Sequence, residues 1–332
     1  APLSEGCGVA VCWQRSCPDG CGGPLEKYVF NWHTLENGVC TNCGKGESDS
    51  ANLQFVLNEA GTGYLLKRVT FSHMDADLIV PATYEGLPVV GVGKLTVDRQ
   101  DNSQPYYIYL PDSVTELAEG SFADQRLMAI WMPDSLTAIS PKAFMNCKNL
   151  EYLHWGKSVA TIGTYAFSDS GLRELQLPEN VTVIEAAAFM NCKGLSSLSL
   201  NDGLLTVGEA AFCRTALGEV KLPESVTTLS PAAFGYNAYL RSINIPKNVA
   251  SIPNDCFYEC SMLTEIEWHD GIRFIDHSAF GKSGITELPL LPNLRGLSKW
   301  AFEDCESLAK VSLPEGLITI GKSCFEGCSQ LS

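Results

Sequence analysis

Four cysteines near the start of the chain have the spacing of metal ligands. Cys17-Pro-Asp-Gly-Cys21 and Cys40-Thr-Asn-Cys43-Gly44 are two short loops with eighteen residues between Cys21 and Cys40. Thiolate pairs so spaced can meet as one tetrahedral zinc site, each glycine-bearing turn aiming backbone amides at sulfur. The Cys40–Cys43 loop resembles a zinc-ribbon knuckle; the Cys17–Cys21 loop, with three residues between its cysteines, is looser. Disulfides account for the same residues. With Cys7 and Cys12 the cysteines between Cys7 and Cys43 number six, and an even count in a secreted protein reads as a set of staples. A segment of about 45 residues holds too little core to fold without one device or the other. Both chemistries stay open, and a structural zinc is the only cofactor the sequence suggests. A strand over Leu25 to Trp32 is expected between the loops, with His33 as plain strand surface.

Catalytic groupings are sparse. His269-Asp270 and Asp276-His277 come nearest, yet no serine or cysteine is placed to complete a triad. There is no Gly-rich phosphate loop, no His-Glu-x-x-His helix and no nucleophile elbow. These residues read as turn residues, and the chain reads as a non-enzyme. The other eight cysteines lie at fixed places in a repeat. No histidine shares their column to activate a thiol, so they read as free, buried turn fillers.

That repeat sets everything else in position. Phe122, Phe144, Phe167, Phe189, Phe212, Phe234, Phe257, Phe280, Phe302 and Phe325 recur every 22 or 23 residues, mostly after alanine. Such a period implies a solenoid. One unit reads Leu172-x-x-Leu175-x-Leu177-Pro178-x-x-Val181-x-x-Ile184, then Ala188-Phe189. Leu175 and Leu177 alternate with the residues between them, as in a strand with one buried face. Pro178 ends that strand because it offers no ladder donor. Val181 and Ile184 point inward from a second segment, and Phe189 fills the far end. A lone coil cannot bury this apolar row, so coils must stack into a parallel ladder. The alternation of step has a visible cause. Longer turns carry Cys147, Cys192, Cys260, Cys305 or Cys328 three residues past the phenylalanine, with Asn237 in the sixth. A small polar side chain there satisfies backbone left open by the bend.

The expected organisation is a Cys-rich segment over 1–46, a linker, cap and degenerate first coil over 47–105, and ten Phe-centred coils over 106–332. Lys45 to Asn52 is the linker; Leu53–Leu57 and Tyr64–Val69 form a hairpin lid. Asp98 to Gln104 is a projecting loop. The fold class is a mostly β solenoid with turns and 3-10 segments, a curved parallel ladder behind an N-terminal β cap. The chain starts at Ala1 without methionine, as a processed product would. It stops at Ser332 where another strand is due, so a continuation or a shielding partner is expected.

Composition narrows the partners. A net charge of −15 argues against a nucleic-acid backbone and against an anionic membrane surface. No run approaches the roughly 18 apolar residues of a membrane span.

The pattern Leu-Pro-x-x-Val-x-x-Ile-Gly-x-x-Ala-Phe-x-x-Cys-x-x-Leu is similar to the BspA-like class of bacterial leucine-rich repeats. Leu313 to Leu331 follows it closely, with Leu317 in place of the valine and Cys324 in place of the alanine. The resemblance covers about residues 78 to 332 and excludes the N-terminal cysteines. It implies an extracellular or cell-surface location, a host or cell-surface protein or glycan as partner, and an adhesin-like role. A structural spacer presenting another domain is the alternative. A monomer is expected.

In such solenoids the strand residues between the buried ones face the concave side. The first three coils would expose Tyr107, Tyr109, Trp131, Tyr152 and His154 there, an aromatic cluster of the kind that anchors interfaces. Packing under the cap or the 98–104 loop is the competing reading for Tyr107 and Trp131. Farther along, Glu265, Glu267 and Glu287 form an acidic patch, read as solvated rather than as a calcium site.

Overall fold

A computed structural model describes residues 51–71, 77–98 and 105–332, together with the strands Val9–Cys12, Tyr28–Asn31, Leu35–Glu36 and Val39–Cys40. The first two of these short strands pair antiparallel, as do the last two. Tyr28–Asn31 falls within the strand expected over Leu25 to Trp32. From residue 77 onward the chain winds into a parallel β-solenoid of about eleven turns, with no helix among the described residues.

A middle coil shows how the sequence dictates the path. Glu174–Gln176 forms the first strand and Val183–Ile184 the second. Leu175, Leu177, Val181, Ile184 and Phe189 are all buried, as their alternation requires. Equivalent strands of successive coils stack in parallel register, building two ladders on two sides of the rod.

The third side is a run of turns with a ladder of its own. Phe144 N–H donates to Ala166 O of the next coil at 2.7 Å, Lys142 N–H to Thr164 O at 2.9 Å and Asn146 N–H to Ser168 O at 2.8 Å. The amides between bond locally, as Ala143 N–H does to Ser140 O. Sending alternate amides to the next coil requires left-handed backbone two residues before and after each phenylalanine, as at Lys142 (φ 58°) and Asn146 (φ 60°). Of the turns or 3-10 segments expected from sequence, that alternation makes these turns, because a 3-10 helix needs right-handed residues throughout.

The ten phenylalanine rings stack along this side. Their centroids lie 5.0 to 6.3 Å apart, with planes within 22° of parallel. Each buried ring contributes about 1.5–3 kcal/mol through burial alone.

The turn cysteines do what their position suggests. Cys147 Sγ donates to Phe122 O one coil back at 3.0 Å; Cys192, Cys260, Cys305 and Cys328 repeat the contact at 2.9 to 3.2 Å. Asn237 takes the role in the sixth, its Nδ2 donating to Phe212 O at 2.9 Å. The short turns place Ser170, Thr215 and Ser283 against Cys192, Asn237 and Cys305 respectively. All eight repeat cysteines are free thiols. Burial pushes Cys147 and Cys260 up to about 12, so they stay protonated donors rather than nucleophiles.

At the start, Ala51–Leu57 and Tyr64–Phe71 form the antiparallel hairpin. Ala51 and Asn52 therefore belong to the cap rather than to the linker. The hairpin pairs in parallel with Leu87–Asp98, which passes the ladder on to Glu116–Leu117. Asp77–Ile79 pairs with Tyr106–Tyr109 as the first rung of the other ladder. In this first coil Leu95 takes the phenylalanine's place. It is buried, and its N–H donates to Ser121 O as Phe122 N–H does to Ala143 O.

Candidate functional site

Parallel register puts equivalent outward side chains one above another, about 4.8 Å apart. Tyr109, Trp131 and His154 are register partners on three successive strands, Tyr106–Tyr109, Leu127–Trp131 and Tyr152–His154. Their rings therefore stack. Tyr109 lies 4.2 Å from Trp131 at 15°, and Trp131 lies 4.4 Å from His154 at 9°. Tyr107 approaches Trp131 at 6.4 Å, and Tyr152 packs into the same cluster. The five residues read from the sequence come together as one group. Of the two readings for Trp131, exposure and packing away from solvent, it is buried at 4% accessible, with both faces of its ring covered by column neighbours rather than by the cap. Tyr107, Tyr109, Tyr152 and His154 are half-buried. The Trp131 indole N–H is buried with no partner among the described residues.

Burial pushes the His154 imidazole down to about 4, so the ring is neutral at pH 7 and stacks without the cost of a buried charge. An ordinary histidine titrates near 6.5, so between these values the unfolded chain binds more protons than the folded one. Stability rises with pH across that window and is lost as pH falls through it. The expected result is that His154→Gln flattens the fall in urea midpoint between pH 6.5 and pH 4; an unchanged pH profile would remove the buried imidazole from the account.

The stack ends at an opening in the ladder. The first-ladder strands fall into four groups, with interruptions after Tyr152–His154, Ser197–Ser199 and Glu265–Glu267. Each interruption precedes the coil entered through a short turn, after Phe167, Phe212 and Phe280. A turn one residue shorter delivers the chain to the next strand out of step with the last. At the short turn after Phe122 the ladder survives, with a register shift between Tyr106 and Tyr107.

The openings leave backbone and core uncovered. Leu110, Met132, Leu177 and Ile245 N–H each donate to the next coil, whereas Trp155, Leu200 and Trp268 make no such bond among the described residues. Leu153, Leu198 and Ile266, the inward residues just before each opening, are half-buried, while Ile130, Leu175, Ile243 and Leu288 are buried. Column reading missed these positions. The signal that could have found them was the 22-residue step.

A groove of about 530 Å³ sits at the first opening, lined by His154, Trp155, Glu174, Gln176, Ser197 and Ser199 among others. A second, of about 670 Å³, is lined by residues from Leu198 to Glu287. In that region the acidic patch is partly neutralised: Glu267 pairs with Lys221 at 2.5 Å and Glu287 with Lys310 at 3.5 Å. Among the described residues no three ligating side chains gather for a metal ion, in the acidic patch or elsewhere.

His269 and Asp276 are engaged in turns. Gly271 N–H donates to His269 Nδ1 at 3.0 Å, and Ser251 Oγ donates to Asp276 Oδ2 at 2.8 Å. Cys17, Cys21 and Cys43 lie outside the described residues, as does the side chain of Cys40. Among the described residues no helix is long and apolar enough to cross a membrane.

A family model described as a BspA-type leucine-rich repeat region matches in six copies, over residues 115–240 and 232–332. Similar solved structures include a leucine-rich repeat protein from Bacteroides ovatus, at 23% identity over 86% of this chain and 92% of that one, with a TM-score of 0.43. A leucine-rich cell surface protein from Faecalibacterium prausnitzii is 21% identical over 86% and 94%, with a TM-score of 0.44. The pneumococcal vaccine antigen PcpA is 17% identical over 86% and 85%, with a TM-score of 0.46. No curated protein matches the chain.

Proposed function

The chain belongs to the BspA-type leucine-rich repeat family, and from that premise we propose that it is a secreted or cell-surface binding protein without enzymatic activity. It recognises a host or cell-surface protein or glycan through the concave face carrying its first ladder, in the manner of an adhesin. The observation that carries this reading is the Tyr109–Trp131–His154 stack. The covered Trp131 ring holds Tyr109 and His154 rigid on either side of it, and these two half-buried rings sit beside a groove, as the anchors of an interface do. Turns in which cysteines and histidines are held by backbone bonds supply no activated nucleophile.

The test compares the native chain with a Tyr109→Ala, His154→Ala double variant on immobilised mucin and extracellular-matrix proteins. Hot-spot truncation is expected to weaken binding by about 30-fold or more. Unchanged binding by a variant with native far-UV spectrum overturns the role of the stack and leaves the spacer reading standing. The N-terminal cysteines are a separate module, and the bound zinc and free thiols of the intact chain distinguish its two chemistries.

A further inference from the structure

The groove at the first opening has a composition that points to a ligand class. It is lined on one side by His154, whose ring is covered by Trp131 on one face. Its floor is apolar: Leu153 and Trp155 rise half-buried, with Trp155 set edge-on against Phe167 at 5.7 Å. The far wall is Glu174 and Gln176, both exposed. Trp155 N–H is left without the inter-coil acceptor that Met132 and Leu177 have.

From this geometry we infer that the groove binds a neutral pyranose unit of a glycan, its C–H face against the His154 ring and its hydroxyls bonded to Glu174, Gln176 and the Trp155 amide. This rests on the binding role proposed above and specifies its ligand.

Three observations select this class. First, no lysine or arginine lines the groove, while Glu151 and Glu174 do. Glu151 is paired with Arg173 at 3.7 Å, but Glu174 has no ion pair among the described residues, so a sulfated, phosphorylated or uronic-acid sugar in the groove would meet its uncompensated carboxylate. Second, the groove mixes an apolar floor with convergent hydrogen-bonding groups, and its volume of about 530 Å³ suits a small ring system. A sugar ring has matching apolar and polar sides. Third, an extended peptide cannot enter the opening as an added strand. Phe167 and Phe189 remain stacked at 5.3 Å and the second ladder stays paired from Ile162 to Ile184, so the coils stand one ladder step apart. An inserted strand would need about twice that spacing.

The second groove fits less well. Lys221 and Glu267 close over Asn244 there, whose side chain bonds the Leu222 backbone.

The test is affinity electrophoresis of the intact chain in gels containing mannan, galactomannan or laminarin, with heparin as the anionic comparison and gelatin as the peptide comparison. At least one neutral polysaccharide is expected to retard the chain. A Glu174→Ala, Gln176→Ala double variant, both exposed and without structural bonds, is expected to lose about tenfold in affinity. Retardation by heparin or gelatin alone overturns the inference, as does retardation by a neutral polysaccharide that the double variant keeps in full. If no polysaccharide retards the chain while mucin or matrix binding still depends on His154, the sugar assignment fails and the broader binding role stands.

Discussion

Phe212→Ala is expected to cost the solenoid about 3–5 kcal/mol in urea unfolding. The ring is fully buried and lies 5.3 Å from Phe189 and 5.5 Å from Phe234, so its removal strips contact from two neighbours at once. The cavity cannot collapse readily. Phe212 N–H stays tied to Ala233 O at 2.9 Å and Phe189 N–H to Ala211 O at 2.8 Å, holding both adjacent backbones at their spacing. Because a solenoid is held by nearest-neighbour interfaces, a defect in the middle should also split one transition into two, with the coils on either side unfolding separately. Phe325 supplies the comparison. It is half-buried and stacks on Phe302 at 5.4 Å, its one stacked ring among the described residues. Phe325→Ala should cost less than half as much and leave a single transition. Equal losses at the two positions would mean that the stack is not what binds one coil to the next.

Asn237 carries the second large effect. It is fully buried and makes four bonds: Nδ2 donates to Phe212 O and Phe234 O, and Oδ1 accepts from Thr215 N–H and Thr215 Oγ1. Asn237→Ala strands these groups without water, at a cost of about 3 kcal/mol or more. Asn237→Cys should be tolerated to within about 1 kcal/mol, because a thiol donating to the carbonyl one coil back is the arrangement already present at Cys147 and Cys192. Thr215 would then meet sulfur as Ser170 does at Cys192. Paired urea titrations decide it: if cysteine proves as damaging as alanine, the turn position is not an interchangeable donor slot.

Much of this was legible in the amino-acid order. Phenylalanine recurrence announced the stack, and the six-residue turns with their Cys or Asn announced the donor slot, because both depend on one coil and its immediate neighbours. The sides of each strand were also readable from the alternation around Leu175. For Trp131 the sequence left exposure and packing under the cap both open, and neither reading named the neighbours that bury it. Alternation tells which way a side chain points, but not that Tyr109 and His154, 22 and 23 residues away, cover its two faces. Leu95 was passed over in the phenylalanine row because residues 99–104 lengthen its step to Phe122. The openings beside Trp155 and Trp268 escaped for a related reason. A missing residue in a turn acts on pairing two elements away, and the sequence records the deletion without saying which hydrogen bonds it breaks.

The interruptions have a mechanical meaning. First-ladder pairing is interrupted between Tyr152–His154 and Glu174–Gln176, between Ser197–Ser199 and Glu219–Val220, and between Glu265–Glu267 and Glu287–Leu288. Second-ladder pairing is interrupted between Glu116–Leu117 and Ala138–Ile139, and between Thr228–Leu229 and Ser251–Ile252. No interruption on one side falls at the same joint as one on the other, like seams offset in brickwork. A pull along the rod therefore meets at least one intact seam at every joint, and the solenoid has no single plane along which to shear.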